Sequence, residues 1–132
     1  MASLDGRADF LAKRDIAMRL MAVKGIGSWR AAPPIYHAYW KCGLRIRPPM
    51  FASFLFNFTY NALFGVVCFS ASAYILGLAG KPDGISRLLV LAAVAGGAAL
   101  IGLIGALEPR YFARKYNLPP WSELRDEAQV FE

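Results

Sequence analysis

The 132-residue chain has one histidine, His37, and two cysteines, Cys42 and Cys68. Ligands this few and this far apart exclude a zinc-type spacing and a disulfide framework. Both cysteines are read as small buried side chains. There is no Gly-rich phosphate loop, nucleophile elbow or paired-carboxylate arrangement. No catalytic residue, cofactor or metal site is therefore expected, and the chain is read as something other than an enzyme. Acidic residues are scarce in residues 1–50, where Asp5, Asp9 and Asp15 face nine Lys/Arg. Charge of either sign is missing from residues 51–80 and 88–107. No cleavable signal peptide is expected, since the first apolar stretch starts near residue 50.

What fills those charge-free stretches is apolar. Such residues make up 57% of the chain, above the roughly 45–50% of soluble domains. Thirty helical residues reach ~45 Å and twenty reach ~30 Å, the thickness of a bilayer's hydrocarbon core. Two membrane spans are expected, at about residues 54–76 and 87–107. Pro48 and Pro49 suit the start of the first. Ser86 is a candidate cap for the second, and Pro109 is expected to loosen its exit. Residues 80–86 hold Pro82 between Lys81 and Asp83, with Gly80 and Gly84 outside them, which is strong turn chemistry. A link this short makes the spans adjacent and antiparallel. The soluble alternative is a helical protein with a buried core hairpin.

The net charge of +6 resides in residues 1–50. Basic residues flanking a span point to anionic lipid headgroups rather than nucleic acid. Arg45, Arg47, Arg110, Arg114 and Lys115 are the candidate headgroup contacts. Arg30 and Lys41 add to the same side, whereas the turn offers Lys81 and Arg87. This bias predicts both termini in the cytoplasm.

The first span carries a polar and small stripe, Ser53, Asn57, Asn61, Gly65, Cys68 and Ser72, spaced three or four apart on one helix face. Amides in lipid need hydrogen-bond partners, so the stripe is expected to face protein. In the second span Gly96, Ala98, Gly102 and Ala106 lie among many small residues that let helices approach closely. The helix-packing candidates are Asn57, Asn61, Gly65, Ser72, Gly96, Ala98, Gly102 and Ala106. Packing between the two spans is one reading; oligomerisation or docking on a larger membrane complex is the other.

Outside the spans, Ser3 is a candidate cap for a helix running to about Lys24. Phe10, Ile16, Ala17, Leu20 and Met21 give it an apolar face, expected to lie on the membrane or a partner, with a solvated helix as the alternative. A break follows at Gly25. Pro34 can start a short helix and Gly43 can end it. Tyr36, Tyr39, Trp40, Tyr111 and Trp121 are candidate interfacial anchors, because aromatic rings with polar tips favour the headgroup level. His37 is read as a surface or interfacial histidine. Asn117 is expected to end the last helix before Pro119 and Pro120, with a short turn over residues 122–127.

Three motifs occur in order: Lys24-Gly25-Ile26 with Pro33-Pro34; Gly43 with Arg47-Pro48-Pro49-Met50-Phe51; and Tyr111-Phe112 with Leu118-Pro119-Pro120-Trp121. Together, over about residues 20–125, they resemble a family of small bacterial inner-membrane proteins of unknown function. Pro119 and Pro120 stand where the resemblance implies one proline, and Met50 where it implies a histidine. The resemblance implies a bacterial inner-membrane location and supplies no activity.

The expected fold is all-α: a hairpin of two transmembrane helices with short interfacial or cytoplasmic helices at both ends. Residues 1–49 form the basic segment, 50–108 the hairpin and 109–132 a cytoplasmic tail. The expected function is that of a structural or accessory subunit, with membrane lipids and a membrane-protein partner or second copy as partners, and no nucleic acid. Alternatives are an adaptor binding anionic lipid or a soluble partner through the basic segment, and a small oligomeric pore.

Overall fold

A computed structural model describes residues 2–77 and 84–124. Five α-helices occur there: α1 (Ala2–Val23), α2 (Ser28–Ala31), α3 (Pro34–Lys41), α4 (Phe54–Ile75) and α5 (Gly84–Lys115). Two 3-10 turns, Pro49–Phe51 and Trp121–Glu123, complete the architecture. Among the described residues there is no strand. The chain divides into two compact units. One comprises the residues up to Ala52 together with those from Tyr111 onward; the other is the hairpin, Ser53–Arg110.

The helix ends follow from local chemistry. After α1, Gly25 takes a left-handed φ of +75°, and the N–H groups of Ile26 and Gly25 donate to the carbonyls of Met21 and Ala22. Gly43, at φ +83°, closes α3 in the same way on Tyr39 and Trp40. This double bond satisfies carbonyls that a helix end leaves orphaned. Asn117 closes α5 at φ +48°, with Leu118 N–H donating to Ala113 and its own N–H to Arg114. Asparagine tolerates this conformation better than most side chains.

Several helix starts differ from the sequence reading. Ser53 Oγ accepts from Phe56 N–H at 3.2 Å, so serine caps α4. Pro48 and Pro49 instead open the 3-10 turn before it. α1 starts at Ala2 and α5 at Gly84, so Ser3 and Ser86 lie inside helices. Pro109 also sits within α5, which continues to Lys115. The expected turn lies largely outside the described residues, as do Lys81 and the part of the C-terminal turn beyond residue 124.

In the first unit the apolar face of α1 is covered by the chain itself. Ile16, Ala17, Leu20 and Met21 are buried with Ile26, Ala31, Met50, Phe51 and Leu124. Phe112, Ala113, Tyr116, Leu118 and Trp121 pack against that cluster. Phe10 joins a second cluster with Ala32, Tyr36 and Trp40. The expected membrane or partner surface for this face is thus corrected: residues 111–124 and the segment after α1 cover it. Lys13 is buried and pairs with Asp9 at 2.9 Å. Lys24 Nζ donates to the Tyr116 carbonyl at 2.6 Å and the Asn117 carbonyl at 3.4 Å. It places a positive charge at the negative end of α5.

Candidate membrane-embedded surface and its basic flank

α4 and α5 are long and apolar enough to cross a membrane, and they pack as a hairpin. Their contact is built on small residues. A methyl group added to Gly65 would stand 2.9 Å from Ala98 Cα and 3.3 Å from its Cβ. At Gly102 it would meet Ala62 Cβ at 2.9 Å and the Phe58 carbonyl at 3.0 Å. At Gly97 it would meet the Phe69 ring at 2.6 Å, and at Gly105 the Asn61 side chain. Along this seam the α4 numbers rise as the α5 numbers fall, which is antiparallel packing. Ala98 and Ala106 are buried in it.

The polar stripe divides. Asn57 is only 1% exposed, and Asn61 is half-buried with its Nδ2 donating to the Asn57 carbonyl at 2.7 Å. Cys68 and Ser72 face outward, which corrects the expectation that the whole stripe meets protein. The Ser72 hydroxyl donates to the Cys68 carbonyl at 2.8 Å. A hydroxyl satisfied within its own helix needs no partner helix. Gly96 also lies off the seam, with nothing within 4 Å of an added methyl. Both cysteines are exposed rather than buried: Cys42 follows α3 at the surface of its unit, and Cys68 lies on the outer face of α4.

The outer face of the hairpin is apolar. Leu55, Val67, Ile75 and Leu91 are 66–80% exposed, and only 11% of either helix's apolar window is buried. A core helix of a water-soluble protein buries most of such a window. The first unit instead has apolar cores of its own, around Ile16, Leu20 and Met21 and around Phe10, Tyr36 and Trp40.

The basic residues expected at headgroups, Arg45, Arg47, Arg110, Arg114 and Lys115, are all exposed. Several lie against aromatic rings. Arg110 stands 5.3 Å from the Phe54 ring at one end of the hairpin. Arg47 stands 5.7 Å from Trp121. Arg30 and Lys115 stand 4.5 and 6.0 Å from Phe112. Such contacts fix a long basic side chain while its charge stays open to solvent.

The expected anchors separate into two groups. Tyr111 is exposed and Tyr39 half-buried. Tyr36 and Trp40 are instead buried in the first unit, and Trp40 Nε1–H donates to the Ile46 carbonyl at 2.8 Å. Trp121 packs between Phe10 and Phe51, at 5.6 and 5.9 Å. Burial, with neighbouring Tyr39 adding to it, pushes the Tyr36 phenol up to about 12. Sequence reasoning missed these core roles because a ring that anchors at a headgroup and a ring whose polar tip bonds backbone have the same composition.

Residues 8–124 match the family of unknown function DUF6404. The chain belongs to that family. The match takes in both units of this DUF6404 member and almost every described element. No curated protein and no solved structure matches the chain.

Proposed function

We propose that this chain is a small integral membrane protein whose hairpin crosses the bacterial inner membrane. Its other unit and both termini stand in the cytoplasm. It acts as a structural or accessory subunit through helix packing rather than as an enzyme. The observation that carries this reading is the outward-facing apolar shell of α4 and α5, with small residues and amides turned inward. Burying such a surface in hydrocarbon removes its cost in water. The Lys/Arg bias supports the orientation. Anionic headgroups suit the exposed arginines, and Gly96 with its open surroundings leaves room for a partner helix.

The adaptor reading keeps one specific support: the basic segment belongs to a unit with its own apolar core. The pore reading has less support, because Asn57 is buried and Asn61 lies against Gly105 and donates to the Asn57 carbonyl. Purification in mild detergent with mass spectrometry of retained proteins separates the rest. A reproducible partner in comparable amount makes the chain a subunit. A strictly monomeric hairpin refutes the subunit reading and favours the adaptor.

A further inference from the structure

A groove of about 410 Å³ lies in the first unit, lined by Arg14, Asp15 and Met18 of α1 and His37, Trp40 and Lys41 of α3. Positions 37, 40 and 41 share one helix face, so a single turn of α3 presents imidazole, indole and ammonium together. The wall is fixed. Trp40 is buried, its Nε1–H is bonded to the Ile46 carbonyl, and His37 stacks edge-on to it at 5.1 Å. Arg14 is also held. Its Nε and Nη2 donate to Asp15 Oδ1 at 2.9 and 2.7 Å, and its Cζ stands 5.2 Å from the Trp40 ring. A guanidinium has five N–H donors, so this grip on one edge leaves others to a ligand. Asp15 balances Arg14, and Lys41 gives the lining a net positive charge.

We propose that this groove binds a phosphorylated small ligand. Guanidinium, ammonium and imidazole around one opening form a donor set for phosphate oxygens. The indole ring and the Met18 thioether supply an apolar wall for the body that carries the phosphate. The volume lies within the range of small-molecule sites and exceeds what a bare phosphate fills. The phosphate can come from a soluble monoester or from a lipid headgroup; the recognising chemistry is shared. The inference does not depend on the hairpin crossing a membrane.

His37 is the sole histidine, so its ring protons give one resolved reporter at the groove. The full chain in an uncharged maltoside detergent is titrated with phenyl phosphate and with inorganic phosphate, following that resonance. The expected result is a saturable shift, tighter for phenyl phosphate. It weakens by about tenfold or more in Lys41→Gln and in Arg14→Gln, the loss of one charge-assisted contact. Arg87→Gln, in the hairpin, leaves it unchanged. If Arg14→Gln fails to fold, Lys41→Gln on the exposed face carries the test. In nanodiscs, a shift brought by phosphatidylglycerol without added phosphate, which then blocks phenyl phosphate, identifies a lipid headgroup. Equal response in phosphatidylglycerol and phosphatidylcholine discs identifies a soluble ligand. Absence of a saturable shift with phenyl phosphate in both detergent and discs, or an undiminished one in Lys41→Gln, overturns the proposal.

Discussion

Gly65 and Gly96 make a matched pair that isolates the steric demand of the hairpin seam. Both sit inside apolar helices, so replacing either by alanine gains a similar helix propensity, about 1 kcal/mol in soluble hosts. Only Gly65 faces a backbone. Its new methyl would stand 2.9 Å from Ala98 Cα, whereas at Gly96 nothing lies within 4 Å. Carbon atoms sit most favourably at 3.5–4.0 Å, so the helices must part by roughly 0.6 Å or more at that point. Overpacking of this kind costs about 1–3 kcal/mol. The difference between Gly65→Ala and Gly96→Ala cancels the propensity gain and leaves that cost, roughly five- to 150-fold in the folding equilibrium. A dye pair on Cys68 and on Leu91→Cys, in a Cys42→Ser background, reports hairpin opening as SDS is titrated into mixed micelles. Gly65→Ala is expected to open at lower SDS than Gly96→Ala, and Gly65→Leu lower still. Equal midpoints for Gly65→Leu and Gly96→Leu would refute the packing described for α4 and α5.

Three further outcomes concern the first unit. Lys24→Met removes the ammonium that meets the Tyr116 and Asn117 carbonyls. It should cost about 1–2 kcal/mol and speed amide exchange around residues 116–118; unchanged exchange contradicts the contact. Trp40→Phe leaves the Ile46 carbonyl without its donor, a loss of about 1–3 kcal/mol in chemical denaturation, and a neutral result argues against the bond. For Tyr36, burial raises the folded-state phenol from 10 to about 12. The folded unit therefore holds this proton more tightly, and the associated stability of about 2–3 kcal/mol is present below pH 10 and lost between 10 and 12. Tyrosinate absorbance should contain one component near 12 that is missing from Tyr36→Phe. Titration of every tyrosine near 10 contradicts its burial.

The hairpin was readable because a long charge-free run reports its own environment. The bounds expected for the first span, 54–76, end one residue beyond α4 (Phe54–Ile75). Gly43 and Asn117 likewise announced helix ends through their own backbone preferences. What covers α1 was not readable. Its apolar face is periodic, but Leu124 and Trp121, which meet it, come from a short segment about a hundred positions away with no period of its own. Trp40 carried a misleading local cue for the same reason: an aromatic ring with a polar tip suits headgroups equally well until its partner carbonyl is known. The polar stripe was legible where an amide needs a partner, at Asn57. It was not at Ser72, whose hydroxyl bonds within its helix.

Membrane insertion is tested most directly by the two native thiols, both exposed on the protein surface. Cys68 lies on the outer face of α4 and Cys42 in the basic unit. A hydrophilic maleimide needs water-exposed thiolate to react. In membrane vesicles opened to the cytoplasmic side, Cys42 is expected to label rapidly and Cys68 not at all until detergent is added. In intact cells, an impermeant reagent should leave both unlabelled. Labelling of Cys68 as fast as Cys42 in undisturbed vesicles would contradict a hairpin buried in the bilayer.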